Sequence, residues 1–401
     1  VMIILVLHPQ TAILKRICAV PVCSFVGLRL YSIYLAHYPV IIYFDYAALD
    51  FGAATNGIKF GLAMGAGLGC YYLLEAPKDG WKALRFRYVI GMSAILYAVT
   101  LLVTVTIQQQ NGAPYRLPEA AQTEWNARFK INPYRARCIA GEITQFGYSC
   151  RIGTGDRPYI ALFGDSHSDA IATALIAKFD QMGYDTHHYW YAECPVIGAG
   201  LAQLAVFSTT CEKLSFAAHS NVLGDRNAAG VVYAMRWSWY LEPVNDENIR
   251  AYWRDARGLP AGFERVSDFR QAFTSTLAAS VQAFSQTGRP IYLVSPTPSL
   301  ETDPVHRGAL AAWYRSGARE SVRTPAIQTP DYMAQRRHFD QLYASLSNIG
   351  SLHLIELFDA FCDDRSCSPY GPQGSLFYDT NHLNVLGGSE ILSLLTMKKE
   401  L

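Results

Sequence analysis

Four apolar stretches open the chain before its pattern changes. Residues 1–7 (VMIILVL) form the tail of one run, and Tyr31 to Ala48 is apolar and aromatic apart from His37 and Asp45. Ile58 to Leu74 is mainly apolar and rich in Gly and Ala, and Tyr88 to Ile107 is continuous and uncharged. A bilayer span takes about 17–25 such residues, so the pattern predicts about three complete N-terminal transmembrane α-helices after a partial one. Burial inside a soluble helical domain is the competing reading, and the length of Tyr88–Ile107 argues against it. The chain begins inside an apolar run with no basic n-region or cleavage site, and is expected to be the C-terminal part of a longer sequence.

From residue 158 the period shortens. Short apolar runs at 159–163, 187–192, 230–235, 290–295 and 352–357 alternate with helical patterns at 169–182, 201–218, 265–287, 333–347 and 385–397. Gly288-Arg289-Pro290 and Asn348-Ile349-Gly350 punctuate the last two transitions. Strands separated by helices predict a three-layer α/β domain over 158–401, with a parallel sheet covered on both faces. Insertions at 236–262 and 296–331 follow strand ends and share one sheet edge. The polar stretch 108–157 reads as a linker with short helical pieces.

Charge then sets the sides. Lys15, Arg16 and Arg29 precede the first complete span, the loop from Asp45 to Gly57 has no Lys or Arg, and the next carries Lys78, Lys82, Arg85 and Arg87. The positive-inside rule places 78–87 in the cytoplasm and everything after Gln108 outside. Net charge is +1, with 50% hydrophobic and 17% charged residues, which gives no sign of a nucleic-acid partner. Cys138, Cys150, Cys194, Cys211, Cys362 and Cys367 all fall outside, where disulfides form. Local pairs Cys138–Cys150, Cys194–Cys211 and Cys362–Cys367 each bracket a loop between predicted elements. No C-x-x-C spacing or adjacent His supports a metal site instead.

Candidate chemistry gathers at Gly164-Asp165-Ser166-His167, where an apolar run meets a helix. A serine there lies at the carboxyl edge of a parallel sheet, where such sheets bind ligands. It reads equally as a helix cap. Asp379 and His382, three apart before the last helix, supply a partner: a carboxylate orienting an imidazole that takes a serine proton. Asp379 as a simple cap with an incidental His382 is the alternative. In the membrane part, His37 lies mid-span, where ionisable groups are costly and often functional, and a structural role satisfied by a neighbouring helix fits as well. Glu75 reads as an interfacial carboxylate.

Two resemblances follow. "RLYSIYLAHYPVIIY" and the later "YYLLEAP" resemble the C-terminal spans of the acyltransferase-3 membrane proteins, which acetylate cell-surface glycans. Ala36 departs from that pattern, where an aromatic is usual. Gly164-Asp165-Ser166 with Asp379-x-x-His382 resembles the SGNH hydrolase family, a flavodoxin-like α/β fold. That resemblance implies Ser166 as nucleophile, Asp379 as orienting acid and His382 as base. The usual block Asn is absent, since Ala234-Met235-Arg236-Trp237 follows the third strand, like the SGNH variant fused to acyltransferase-3 domains. Gly198, Arg236 and Trp237 are the candidate oxyanion or substrate contacts, beside the Ser166 backbone N–H. Trp237, Trp239 and Tyr240 read equally as packing residues.

Together the resemblances imply a multi-pass protein of a bacterial inner membrane with a periplasmic C-terminal domain. It would be an O-acetyltransferase acting on an envelope polysaccharide such as the lipopolysaccharide O-antigen. Its partners would be the bilayer and a glycan acceptor. No bound cofactor or metal is implied, and acetyl-CoA would be the acyl donor through an upstream membrane region. A carbohydrate esterase with the same triad, or a membrane-anchored glycan-binding module, are the alternatives.

Overall fold

The computed structural model describes residues 21–47, 49, 51–76, 86–110, 112–140, 143–144, 147–204, 207–241, 265–314 and 326–394. The chain divides into two units, Val1–Pro114 and Tyr115–Leu401.

In the first unit, α1 (Leu30–Tyr46) packs on α2 (Thr55–Cys70). Their backbones come close at Gly67, where a Cβ would sit 2.5 Å from the Ile33 Cα. Only glycine permits that approach. A π-helical turn, Tyr71–Glu75, continues α2, and Glu75 accepts a hydrogen bond from Ser32 Oγ at 3.0 Å. His37 pairs through Nδ1 with the Tyr34 carbonyl of its own helix at 2.5 Å. α3 (Phe86–Gln109) follows. Within it Tyr88–Gln109, 22 residues of mean hydropathy 2.1, is the one helix among the described residues long and apolar enough to cross a membrane.

Three complete spans are therefore not shown among the described residues. α1 has 17 residues, and α2 has 16 with five more in the π-helical turn that continues it. Both fall within the length a span takes, about 17–25 residues, without matching the length and hydropathy of Tyr88–Gln109. Residues 1–7 lie outside the described residues. So do Lys15, Arg16, Lys78, Lys82 and Arg85, on which the orientation argument rests.

The second unit holds a seven-stranded sheet. Its strands are β1 (Ile143–Thr144), β2 (Gly147–Ile152), β3 (Tyr159–Gly164), β4 (Asp185–Trp190), β5 (Ala228–Ala234), β6 (Ile291–Val294) and, after a short β7 (Ile327–Gln328) outside this sheet, β8 (Leu352–Ile355). The order is β1-β2-β4-β3-β5-β6-β8. β3, β4, β5, β6 and β8 are parallel, while β2 runs antiparallel to β4, and β1 to β2. The sheet is thus mixed at one edge. Residues 147–152 lie in a strand, although hydropathy had put them in a linker. β2 alternates: Cys150 and Ile152 enter the core while Ser149 and Arg151 do not.

β3 shows why the central runs are continuously apolar. Tyr159, Ala161 and Phe163 belong to one core, and Ile160 and Leu162 to the other, on the opposite face. The first core includes Leu214, Ala218 and Val222 of the helix Thr209–Gly224, Phe273 and Leu277 of Val266–Ser285, and Phe339 of Thr329–Leu346. The second includes Ile171, Leu175 and Phe179 of α4 (Ser166–Gln181) and Ile391 of Val385–Leu394. Three layers result, with β3 at the centre. β4 lies on one side of β3 and β5 on the other, so the carboxyl end of β3 is a topological switch point, where open α/β sheets leave a crevice. Disulfides join Cys138 to Cys150, Cys194 to Cys211 and Cys362 to Cys367, the pairs that bracket the predicted loops. Residues 242–264 and 315–325, which take in most of the expected insertion at 236–262 and part of the one at 296–331, lie outside the described residues.

Candidate active site

The site begins where β3 stops. A Cβ on Gly164 would lie 1.7 Å from the Ala234 carbonyl oxygen and 2.8 Å from Ser168 Cβ, so no other residue fits between β3, β5 and α4. Asp165 is the N-cap of α4: its backbone is extended and Oδ1 accepts the His167 N–H at 2.8 Å. Its other oxygen accepts the Arg236 N–H at 3.0 Å and the Tyr240 hydroxyl at 2.8 Å. Burial pushes this carboxyl up, and the three donors oppose the shift. One buried side chain therefore ties the turn after β3 to the turn after β5. It also takes over the capping role, which leaves the Ser166 hydroxyl free for other work.

Ser166, the first residue of α4, is half-buried. His382 Nε2 lies 2.7 Å from its Oγ, and His382 Nδ1 lies 2.7 Å from Asp379 Oδ2. With Nδ1–H donating to the carboxylate, Nε2 is left to accept the serine proton. Asp379 Oδ1 accepts the backbone N–H groups of Asn381 at 2.9 Å and His382 at 2.7 Å. Burial alone would raise the Asp379 carboxyl. The hydrogen bonds from His382, the His382 charge and the two N–H groups outweigh it and hold the group below its ordinary value. Two rings flank His382: Tyr378, parallel to within 4° at 5.2 Å between centroids, and His167 at 4.5 Å. Desolvation, then the nearby charges of His382 and Arg236, push His167 well below the usual imidazole range. It stays neutral while His382 takes up a proton. The Ser166 N–H meets no acceptor among the described residues and sits at a helix N-terminus, where an oxyanion is favoured.

A carboxylate, an imidazole and a serine in relay at a sheet's carboxyl edge are the arrangement by which a serine hydroxyl can be activated as a nucleophile. A family model described as SGNH domain (fused to AT3 domains) matches residues 137–395. The chain belongs to this family. Among solved structures, the periplasmic domain of the lipopolysaccharide acetyltransferase of Salmonella ser. Paratyphi A is similar, at 15% identity and a TM-score of 0.42 over 60% of this chain and 83% of that one. No curated protein matches the chain.

Within the SGNH domain the remaining candidates separate. Gly198 sits at φ +111°, and its N–H donates to Ser215 Oγ at 2.7 Å, so that donor is already taken. Trp237 is 1% exposed; its Nε1–H donates to the Val294 carbonyl at 2.7 Å and its ring packs on Phe339. It is a core residue, and the packing alternative holds for it. Arg236 stays half-buried beside His167, with its guanidinium 5.0 Å from the Trp239 ring centre. His37 and Glu75 lie in the first unit, with the local partners given above. Sequence reasoning missed Asp165, although an Asp before the first helical residue is itself an N-cap signal.

Proposed function

We propose that this chain is an O-acetyltransferase that moves an acetyl group through a Ser166 acyl-enzyme onto a hydroxyl of an envelope polysaccharide, such as the lipopolysaccharide O-antigen. The observation that carries the reading is the relay Asp379–His382–Ser166, with both hydrogen bonds at 2.7 Å, in a domain of the family fused to AT3 domains. Three disulfides fit an oxidising, extracytoplasmic compartment. The apolar helix Tyr88–Gln109 fits a membrane segment ahead of it. Acetyl-CoA is the proposed donor, its acetyl group passed outward through an acyltransferase-3 membrane region.

In the first half-reaction Ser166 Oγ attacks the acetyl carbonyl as His382 takes its proton. The oxyanion faces the Ser166 N–H. The donor's bond to the acetyl carbon breaks, and His382 returns the proton to the leaving atom. In the second, a sugar hydroxyl gives its proton to His382 and attacks the acyl-enzyme, and Ser166 leaves and is reprotonated. Ping-pong kinetics follow.

The test gives the full chain, in its native membrane, an acetylated donor and an unacetylated glycan. Acetylation of the acceptor, lost in Ser166→Ala, supports transfer. Acetate release with no acceptor product at high sugar concentration supports an esterase instead. Glycan acetylation unchanged by Ser166→Ala leaves only a binding module.

A further inference from the structure

The stretch ahead of the sheet reaches the catalytic loop. Arg135 lies on the helix Arg135–Ala140. Its Nε donates to Asp169 Oδ2 at 2.5 Å, and its Nη2 contacts the same oxygen. Asp169 is fully buried on the first turn of α4, three residues after Ser166, and its other oxygen accepts Asn132 Nδ2 at 2.6 Å. Arg135 Nη2 also donates to the Tyr378 hydroxyl at 3.4 Å, and its Cζ is 5.8 Å from that ring's centre. Tyr378 in turn stacks on His382, and its backbone N–H donates to the His382 carbonyl at 3.0 Å. One guanidinium therefore joins the helix that carries the nucleophile to the loop that carries the base. Cys138, on the same helix as Arg135, is bonded to Cys150 of β2, which fixes this bridge to the sheet edge.

We infer that Arg135 and Tyr378 are positioning residues for His382: the Asp169–Arg135–Tyr378 bridge holds the imidazole face so that Nε2 stays within hydrogen-bond reach of Ser166. This rests on the triad proposed above. A planar fork suits the task, because it meets the buried carboxylate through two nitrogens and keeps a third contact for the phenol. Lysine, a single point charge, cannot hold both. Small displacements of a reacting group cost rate steeply: about 1 Å costs about 100-fold.

The charged and titratable groups near His382 are Asp379 and Tyr378 of its own loop, Asp165, His167 and Asp169 of α4 and its cap, Arg236 beside His167, and Arg135. Removing Arg135 takes away a positive charge on the His382 side of the bridge, which favours imidazolium, so the acid limb of the rate profile moves to higher pH. Arg135→Lys keeps the charge and leaves the limb in place.

The experiment uses the full chain in detergent. It measures the rate at which a fluorophosphonate labels Ser166 from pH 5.5 to 9, kcat and KM on a small acetyl ester, and the melting temperature. Expected for both Arg135→Lys and Tyr378→Leu is a fall of about tenfold or more in labelling rate and kcat, at wild-type KM and melting temperature. Arg135→Gln adds an upward shift of the acid limb; if it fails to fold, the other two variants decide. Folded variants that label within about twofold of wild type, with the limb unmoved, overturn the inference and leave the triad standing. A wild-type chain that takes no label sinks the triad reading and this inference with it.

Discussion

Asp379→Asn changes one charge and almost no volume, and the hydrogen bonds decide which way the new amide faces. Oδ1 accepts two backbone N–H groups, at 2.9 and 2.7 Å, so the amide oxygen must stay there. The NH2 group then replaces Oδ2 opposite His382 Nδ1, 2.7 Å away. Two donors cannot share that contact, so the imidazole proton moves to Nε2, where it blocks acceptance from Ser166. The imidazolium also loses its counter-charge. At about 4 Å between charge centres the attraction is about 4 kcal/mol with an effective dielectric of ~20. The Asp379 side chain is 40% exposed, and solvent screening brings this to about 2–3 kcal/mol. Losing part of general-base catalysis, worth about 100- to 10,000-fold, brings the expected fall in kcat to about 1,000- to 10,000-fold, or about 4–5.5 kcal/mol. KM should hold, because Asp379 orients the base rather than the substrate. Initial rates on a small acetyl ester, with the melting temperature as control, measure this. A fall of less than tenfold in a folded variant, or one confined to KM, would refute the tautomer argument. Because Asp379 is held below its ordinary value, it stays ionised from pH 5 to 9.

Ser166→Ala removes a half-buried hydroxyl bonded to His382; stability should change by about 1 kcal/mol or less, while fluorophosphonate labelling disappears. Gly164→Ala drives a methyl into the Ala234 carbonyl and should cost about 2–4 kcal/mol in a denaturant melt. Burial raises Asp185 and Glu356, but backbone N–H groups and Arg157 at the first, and Arg336 at the second, leave both carboxyls lowered. Their folded pKa values lie below the unfolded ones, so the stabilisation is full above about pH 4.5 and drains away as pH falls through the folded values. Burial also pushes His167, His187, His188 and His219 below the usual imidazole range. Melting temperatures should therefore already fall as pH drops through about 6.5 and fall further below about pH 4, the last part less steeply in Asp185→Asn. Reducing the three disulfides should lower the melting temperature by more than about 10 °C, since each contributes about 2–4 kcal/mol and each kcal/mol is worth about 2–4 °C in a domain of this size.

The parallel strands were legible because residues buried on both faces, such as Ile160 to Phe163, leave no polar gap in the run. The Gly-Asp-Ser turn and the Asp-x-x-His loop were legible as types and spacing. What was not legible depends on distant partners. Gly198 looked available until Ser215, on a helix further along the chain, took its N–H. Trp237 reads from the sequence as either a substrate contact or a packing residue, and only the distant Val294 carbonyl and the core around it decide for packing. β2 escaped notice because Ser149 and Arg151 dilute its hydropathy and its pairing partner lies about forty residues on. Asp165 read as the second letter of a motif, whereas its three donors come from two separate turns.

The antiparallel β2 has a practical consequence. It pairs along β4 from Tyr148 opposite Trp190 to Ile152 opposite Thr186, and so covers what would otherwise be a raw sheet edge. A soluble fragment begun at residue 158, where the hydropathy pattern invites a cut, would strip that cover. The N–H and C=O groups of Thr186–Trp190 would then offer a template for strand addition between molecules. Such a fragment should aggregate through β4, whereas one begun near Tyr115 keeps the edge closed and stays dispersed.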